Sequence, residues 1–197
     1  MRSLIWRAIA RALSHPRVAS WIIETAQRTP YANLAAVGRG GRYMGRWWLF
    51  NPYDSDTHTR RYPWFPWSIR VHHIVQPDPG GYLHDHPWHA RTIILRGGYL
   101  EQRLREQNDI ELAKPNMPLR FQTPEYVVRK QGTTSTLCPG RFHRIAEVSE
   151  GGAYTLFITG KWREEWGFLV RGTKVPSNQH LSCVGREIDP HRNNRGD

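Results

Sequence analysis

Three histidines fall within six positions in the stretch GGYLHDHPWHA, residues 80–90. His84 and His86 are spaced two apart, so on an extended backbone both rings point to the same face. Two imidazoles make half a metal site, and a third ligand has to come from a neighbouring strand. The chain offers one in GTTSTLCPGRFHRI, where His143 lies three residues beyond the Pro139-Gly140 turn. Three neutral nitrogen ligands suit a divalent transition ion and leave coordination positions open, which is the arrangement of a reactive site. His89, just after Pro87-Trp88, is a candidate catalytic residue as a proton shuttle; its alternatives are a replacement ligand or a rim residue. His72 and His73 are adjacent on a preceding strand, so one of them faces inward.

The elements that must position these residues are short. From about residue 68 the runs SIRVHHIV, ARTIILRGGYLEQRL, YVVRKQ, TTSTL, RFHRIAEV and AYTLFITGKW are rich in β-branched and aromatic residues. Gly and Pro punctuate them at 77–80, 97–98, 132, 139–140 and 151–152, which predicts an all-β sandwich or barrel. Residues 101–126 read as a longer polar excursion, and 38–46 as a Gly-rich connection without the spacing of a phosphate loop. Two helices precede the strands. Ile5, Ile9 and Leu13 form one apolar stripe, and Val18, Trp21, Ile22 and Ala26 form another after Pro16. The expected organisation is a helical extension over 1–37, a β-barrel domain over 38–185 and a disordered tail over 186–197.

Here the sequence resembles the cupin superfamily, whose two histidine motifs are matched in order across about residues 68–160. The first reads His84-x-His86, then Arg91, then Gly98. The second reads Gly132, Pro139-Gly140, His143 and Glu147. YMGRWWLF at 43–50, followed by HDHPW and GRFHR, also resembles small cupin-like proteins of phages and prophages. The resemblance implies an antiparallel cupin-type β-barrel, a double-stranded β-helix, in which His84, His86 and His143 hold one metal. Arg91 stands where cupins usually carry a glutamate ligand, and a guanidinium cannot ligate. A three-histidine site resembles that of thiol dioxygenases, which implies Fe(II), with Zn, Ni or Mn as alternatives. With no carboxylate to offset the ion, Arg91 would clamp an anionic substrate beside it as a second catalytic residue; otherwise it turns away to pair with Asp85 or Glu101.

The first functional expectation is therefore an iron oxygenase acting on a small anionic substrate, with a 2-oxoglutarate hydroxylase as a less favoured variant. A sugar or sugar-phosphate isomerase or epimerase on the same scaffold is the alternative enzyme. The third reading is non-catalytic: a phage protein binding nucleic acid or a host protein through Arg7, Arg11, Arg39, Arg42, Arg60 and Arg61. A formal charge of +11 suits any acidic partner. A homodimer is the assembly the resemblance suggests. Two cysteines with no framework point to a reduced, cytoplasmic protein, and no segment approaches the ~20 apolar residues of a membrane span.

Overall fold

The computed structural model describes residues 2–35, 42–54, 56–104 and 124–184. Two helices, α1 (Arg2–Leu13) and α2 (Pro16–Ala26), are followed by eleven strands: β1 (Tyr31–Ala35), β2 (Arg42–Phe50), β3 (Ser68–Ile74), β4 (Ala90–Arg96), β5 (Gly98–Leu104), β6 (Pro124–Lys130), β7 (Thr134–Leu137), β8 (His143–Val148), β9 (Ala153–Thr159), β10 (Gly167–Val170) and β11 (Thr173–Pro176). A short helix, α3 (Ser177–Val184), closes the described chain. No described helix is long and apolar enough to cross a membrane.

All named strand pairs are antiparallel. One sheet runs β1-β2-β3-β9-β4-β7, and facing it lie β6-β5-β8 and the β10-β11 hairpin. The six-stranded sheet is covered on both sides. Its outer face presents Trp47, Val71, Ile93, Leu95 and Leu156, which pack with Ala10, Ala19, Ile22, Ile23 and Ala26 of the two helices. Its inner face meets the second sheet, where Ile74, Ile94 and Ala153 pack against Tyr99 and Ile145. The expected all-β architecture with an N-terminal helical cover is the one observed.

Three expectations change in detail. The extension is not wholly helical, because β1 pairs along β2 and adds an edge strand to the barrel sheet. The presumed Gly-rich connection is strand from residue 42 onward; burial between α2 and β3 overrides the local loop composition. The polar excursion of 101–126 begins and ends as paired strand, β5 with β6, while 105–123 and the expected tail from 186 lie outside the described residues.

The chain crosses between sheets at Gly97, where β4 hands over to β5. Its φ is +71°, and a Cβ there would lie 2.1 Å from the Gly152 carbonyl oxygen. A side chain meets both backbone strain and a rigid obstacle. Gly97→Ala should therefore lower unfolding free energy by about 2–4 kcal/mol in denaturant titrations.

Candidate metal centre

The ligand-bearing segment 82–89 has no regular strand of its own. It is fixed by main-chain pairing instead. The His84 amide donates to the His143 carbonyl at 2.9 Å and the His143 amide returns the bond at 2.9 Å. Residues paired directly across an antiparallel ladder point their side chains to the same side, so this bridge sets two imidazoles next to each other. His86, two residues on, adds the third. The ring centroids are separated by 5.3 Å (His84–His86), 5.1 Å (His84–His143) and 5.1 Å (His86–His143). One ligand nitrogen from each ring lies within 4.8 Å of the others. The structure thus brings together all three histidines expected from the sequence.

Asp85 lies between two of the ligands and is fully buried. Its carboxylate accepts from the Gly167 amide at 2.8 Å, the Gly140 amide at 3.0 Å and the Lys174 ammonium at 2.6 Å. One side chain therefore ties the His84–His86 segment to the Pro139-Gly140 turn and to the β10-β11 hairpin. Asp78 holds the preceding loop: it accepts from the Ile145 amide at 2.6 Å and from the Tyr43 hydroxyl, and lies 3.9 Å from the His84 ring.

Behind the cluster stands Glu101, 2% exposed. The His143 Nδ1–H donates to it at 2.8 Å, which leaves Nε2 of that ring facing His86 Nε2 at 2.9 Å. Arg129 holds the other Glu101 oxygen at 2.5–2.6 Å. A carboxylate behind a ligating histidine fixes its tautomer and its orientation. Burial alone would raise the Glu101 pKa, but the hydrogen bond and charge of His143 and the Arg129 guanidinium outweigh it and hold the carboxyl down to about 2.

Burial pushes the His84 pKa down to about 4 against the pull of Asp78, and pushes His86 well below its ordinary value, with His143 and His84 adding to the effect. Imidazoles held neutral are competent ligands without losing a proton first. Three imidazole nitrogens within coordination reach, one ring braced by a carboxylate, fit a divalent transition ion.

The two expected catalytic residues do not join them. Arg91 sits on the outer face of β4. Its guanidinium lies 4.3 Å from the Trp6 ring centroid and donates to the Thr134 hydroxyl at 3.2 Å. It docks α1 and cannot clamp an anion in the interior. Nor does it pair with Asp85 or Glu101, whose partners are Lys174 and Arg129. His89 is exposed, just ahead of β4, between its buried neighbours Trp88 and Ala90. Of the adjacent pair, His72 faces inward and is buried, while His73 stacks on Tyr154 at 4.0 Å.

The interior beside the cluster is lined by His72 and by two arginines the sequence did not single out, Arg46 and Arg70. Arg46 and His72 are register partners on β2 and β3, and so are Trp48 and Arg70. Arg70 is 6% exposed, with its guanidinium carbon 5.1–5.6 Å from the ring centroids of Trp48, Tyr53, Trp88 and Phe157. Trp88 in turn stacks on His86 at 5.0 Å.

No family model and no curated protein sequence matches the chain. Among solved structures, it is similar to recombinant oxalate oxidase in complex with glycolate, at TM-score 0.45 and 12% identity over 80% of this chain and 72% of that one. It is similar to Fe(II)-HppE with an alternative substrate, at TM-score 0.41 and 12% identity over 68% of this chain; the match spans 57% of HppE. A candidate mannose-6-phosphate isomerase from Ralstonia eutropha matches at TM-score 0.41 and 13% identity, covering 64% of this chain and 91% of that one.

Three outcomes follow from this geometry. Glu101→Gln should weaken metal binding about 10–100-fold in competition titrations with a chelating dye. Arg91→Ala should cost about 1–2 kcal/mol of stability through the lost contact with Trp6, and leave bound metal unchanged. The third concerns acidification of the metal-free protein. His84 stays neutral in the fold down to about pH 4, whereas the unfolded chain takes up that proton near 6.5. Stability linked to His84 is therefore complete above pH 6.5, declines as pH falls towards 4, and is flat below, a loss on the order of 3 kcal/mol. The Glu101 contribution is lost in a separate, lower window, between about 4.5 and 2. Urea midpoints recorded across pH 7.5 to 3.5 check the sign and the first window.

Proposed function

We propose that the chain is a metal-dependent cupin enzyme, an iron oxygenase that acts on a small anionic substrate. The observation that carries this reading is the convergence of His84, His86 and His143 between two facing sheets, with their ligand nitrogens within 4.8 Å of one another. A ferrous ion held there would supply open coordination positions and redox chemistry with dioxygen. The choice of iron follows the likeness to three-histidine cupins noted above, since imidazole ligands also suit Zn and Ni.

The protein's own contributions are positional and electrostatic. The paired backbones of His84 and His143 hold two ligands at a set separation. Glu101 keeps the Nδ1 proton of His143 and so presents Nε2 to the interior. Trp88 and Phe157 flank His86, and Trp166 and Phe168 flank His84, so aromatic walls narrow the access of water to the cluster. Arg70 and Arg46 make the chamber positive, which favours an anion over a neutral molecule.

Elemental analysis of protein purified without added metal tests the site. Wild type should carry close to one equivalent of a transition ion and His86→Ala should carry little; equal content in both would sink the proposal. Oxygen-electrode traces of the iron-loaded protein with small carboxylates, phosphonates and phosphate esters test the reaction. Uptake that depends on one of these anions and vanishes in His86→Ala is expected. Metal-dependent turnover of a sugar phosphate without oxygen uptake would replace the oxygenase by an isomerase.

A further inference from the structure

The inner face of the large sheet carries two positive charges, the buried Arg70 and the half-buried Arg46, that no described carboxylate neutralises. Among the described residues, the buried carboxylates pair elsewhere: Glu101 with Arg129 and His143, Asp85 with Lys174, and Asp78 with the His84 ring. Neither Arg46 nor Arg70 has a carboxylate within ion-pair distance among them. Arg70 has one polar partner, the Tyr53 hydroxyl at 3.1 Å, and its Nε is buried without any. The His72 Nε2 beside it is likewise buried and unpartnered. Burial, and then the charge of Arg70, lower the Arg46 pKa to about 10, which still leaves its guanidinium charged at neutral pH.

Register explains how the two arginines come to share one space. Arg46 lies opposite His72, and Arg70 lies opposite Trp48. Both guanidiniums thus leave the same face of adjacent strands from diagonal positions, with Cβ atoms roughly 7 Å apart. Like charges placed together in an apolar enclosure repel, and each unpaired N–H there carries the cost of lost hydration. The aromatic faces around Arg70 offset part of that cost and donate nothing to it. An oxyanion between the forks would satisfy both charges and the free N–H groups in one step, because guanidinium and oxyanion geometries match bidentately.

We propose that Arg46 and Arg70, with Tyr53 and His72 at its border, form the seat for the anionic end of the substrate, and that this end is a dianion. Two fixed positive charges call for two negative ones. A phosphate monoester or phosphonate group supplies them on one centre, and a short dicarboxylate supplies them on two. A single carboxylate would leave one guanidinium unpaired. The contact chain from Arg70 through Trp88 and Phe157 to His86 sets the seat beside the three histidines, so an anion held there presents the rest of its molecule to the metal site. The proposal rests on reading the interior as the substrate chamber, and it takes the role first assigned to Arg91 and gives it to a pair on β2 and β3.

Thermal melts of metal-free protein at constant ionic strength, set with sodium chloride, separate this from the metal reading. Inorganic phosphate and malonate should each raise the midpoint of the wild type, and acetate should raise it far less. His86→Ala should respond to phosphate as the wild type does, since the seat does not need the ion. Arg70→Met and Arg46→Met should each weaken phosphate binding by roughly tenfold or more, the loss expected for removing charge-assisted hydrogen bonds. Arg46→Lys keeps the charge and loses the fork, so it should fall between wild type and Arg46→Met. In the absence of anion, Arg70→Met should melt no lower than wild type, because a buried unpaired charge has been removed; an arginine that merely braced the barrel would melt lower. No stabilisation of the wild type by phosphate or malonate would overturn the seat, as would equal stabilisation of both methionine variants. Acetate acting as strongly as malonate would overturn the dianion.

Discussion

The buried carboxylate of Asp85 governs the geometry of the whole centre. It is fully enclosed, and three donors from distant parts of the chain converge on it: a turn amide at Gly140, a hairpin amide at Gly167 and the Lys174 ammonium. An ionised group removed from water is tolerable only when its lone pairs are occupied. The requirement works in both directions. The carboxylate holds the three segments, and the three segments keep one another in place to satisfy it. Residues 82–89 have almost no regular secondary structure, so this cross-tie and the His84–His143 bridge do for them what a ladder of hydrogen bonds does for a strand.

The interior is divided along its length. One end is apolar, with Ile74, Ile94, Tyr99, Ile145 and Ala153 joining the two sheets. Next comes a layer in which Arg46, Arg70 and His72 project from the large sheet, and then the histidine cluster rooted largely in the smaller one. Behind the histidines on that side Glu101 and Asp85 each have a cation, and Asp78 is held by the Ile145 amide and the Tyr43 hydroxyl. The field across the chamber therefore has a direction: compensated charge on one wall and uncompensated positive charge on the other.

How much of this the sequence disclosed depends on how local each signal was. His84 and His86 were legible because period-two alternation is an intrinsic property of extended backbone, and His143 because a Pro-Gly turn marks its position. The helical cover was legible from its apolar stripes. Arg91 was misread for a definite reason. Its strand runs through Ile93, Ile94 and Leu95, buried on both faces, so alternation gives no clue to which side is inward. Counting from the histidines aimed it at the metal, whereas β4 begins with Ala90 inside and turns Arg91 out. Arg46 and Arg70 escaped notice because a charged residue in a strand ordinarily faces water, and only the pairing of β2 with β3 shows otherwise. Asp85, sandwiched between two ligands, belongs by alternation to the opposite face. Nothing nearby in the sequence says that the opposite face is also buried.

One consequence of the His84–His143 bridge concerns adaptability. These two rings hang from a single exchanged pair of amide bonds, so the gap between their attachment points cannot widen without unzipping that pair. His86 stands outside it, on an irregular stretch, with its ring sandwiched flat against Trp88. Were ions of different radii bound there, the adjustment would fall to one imidazole sliding along an indole surface, with the other two as a fixed jaw.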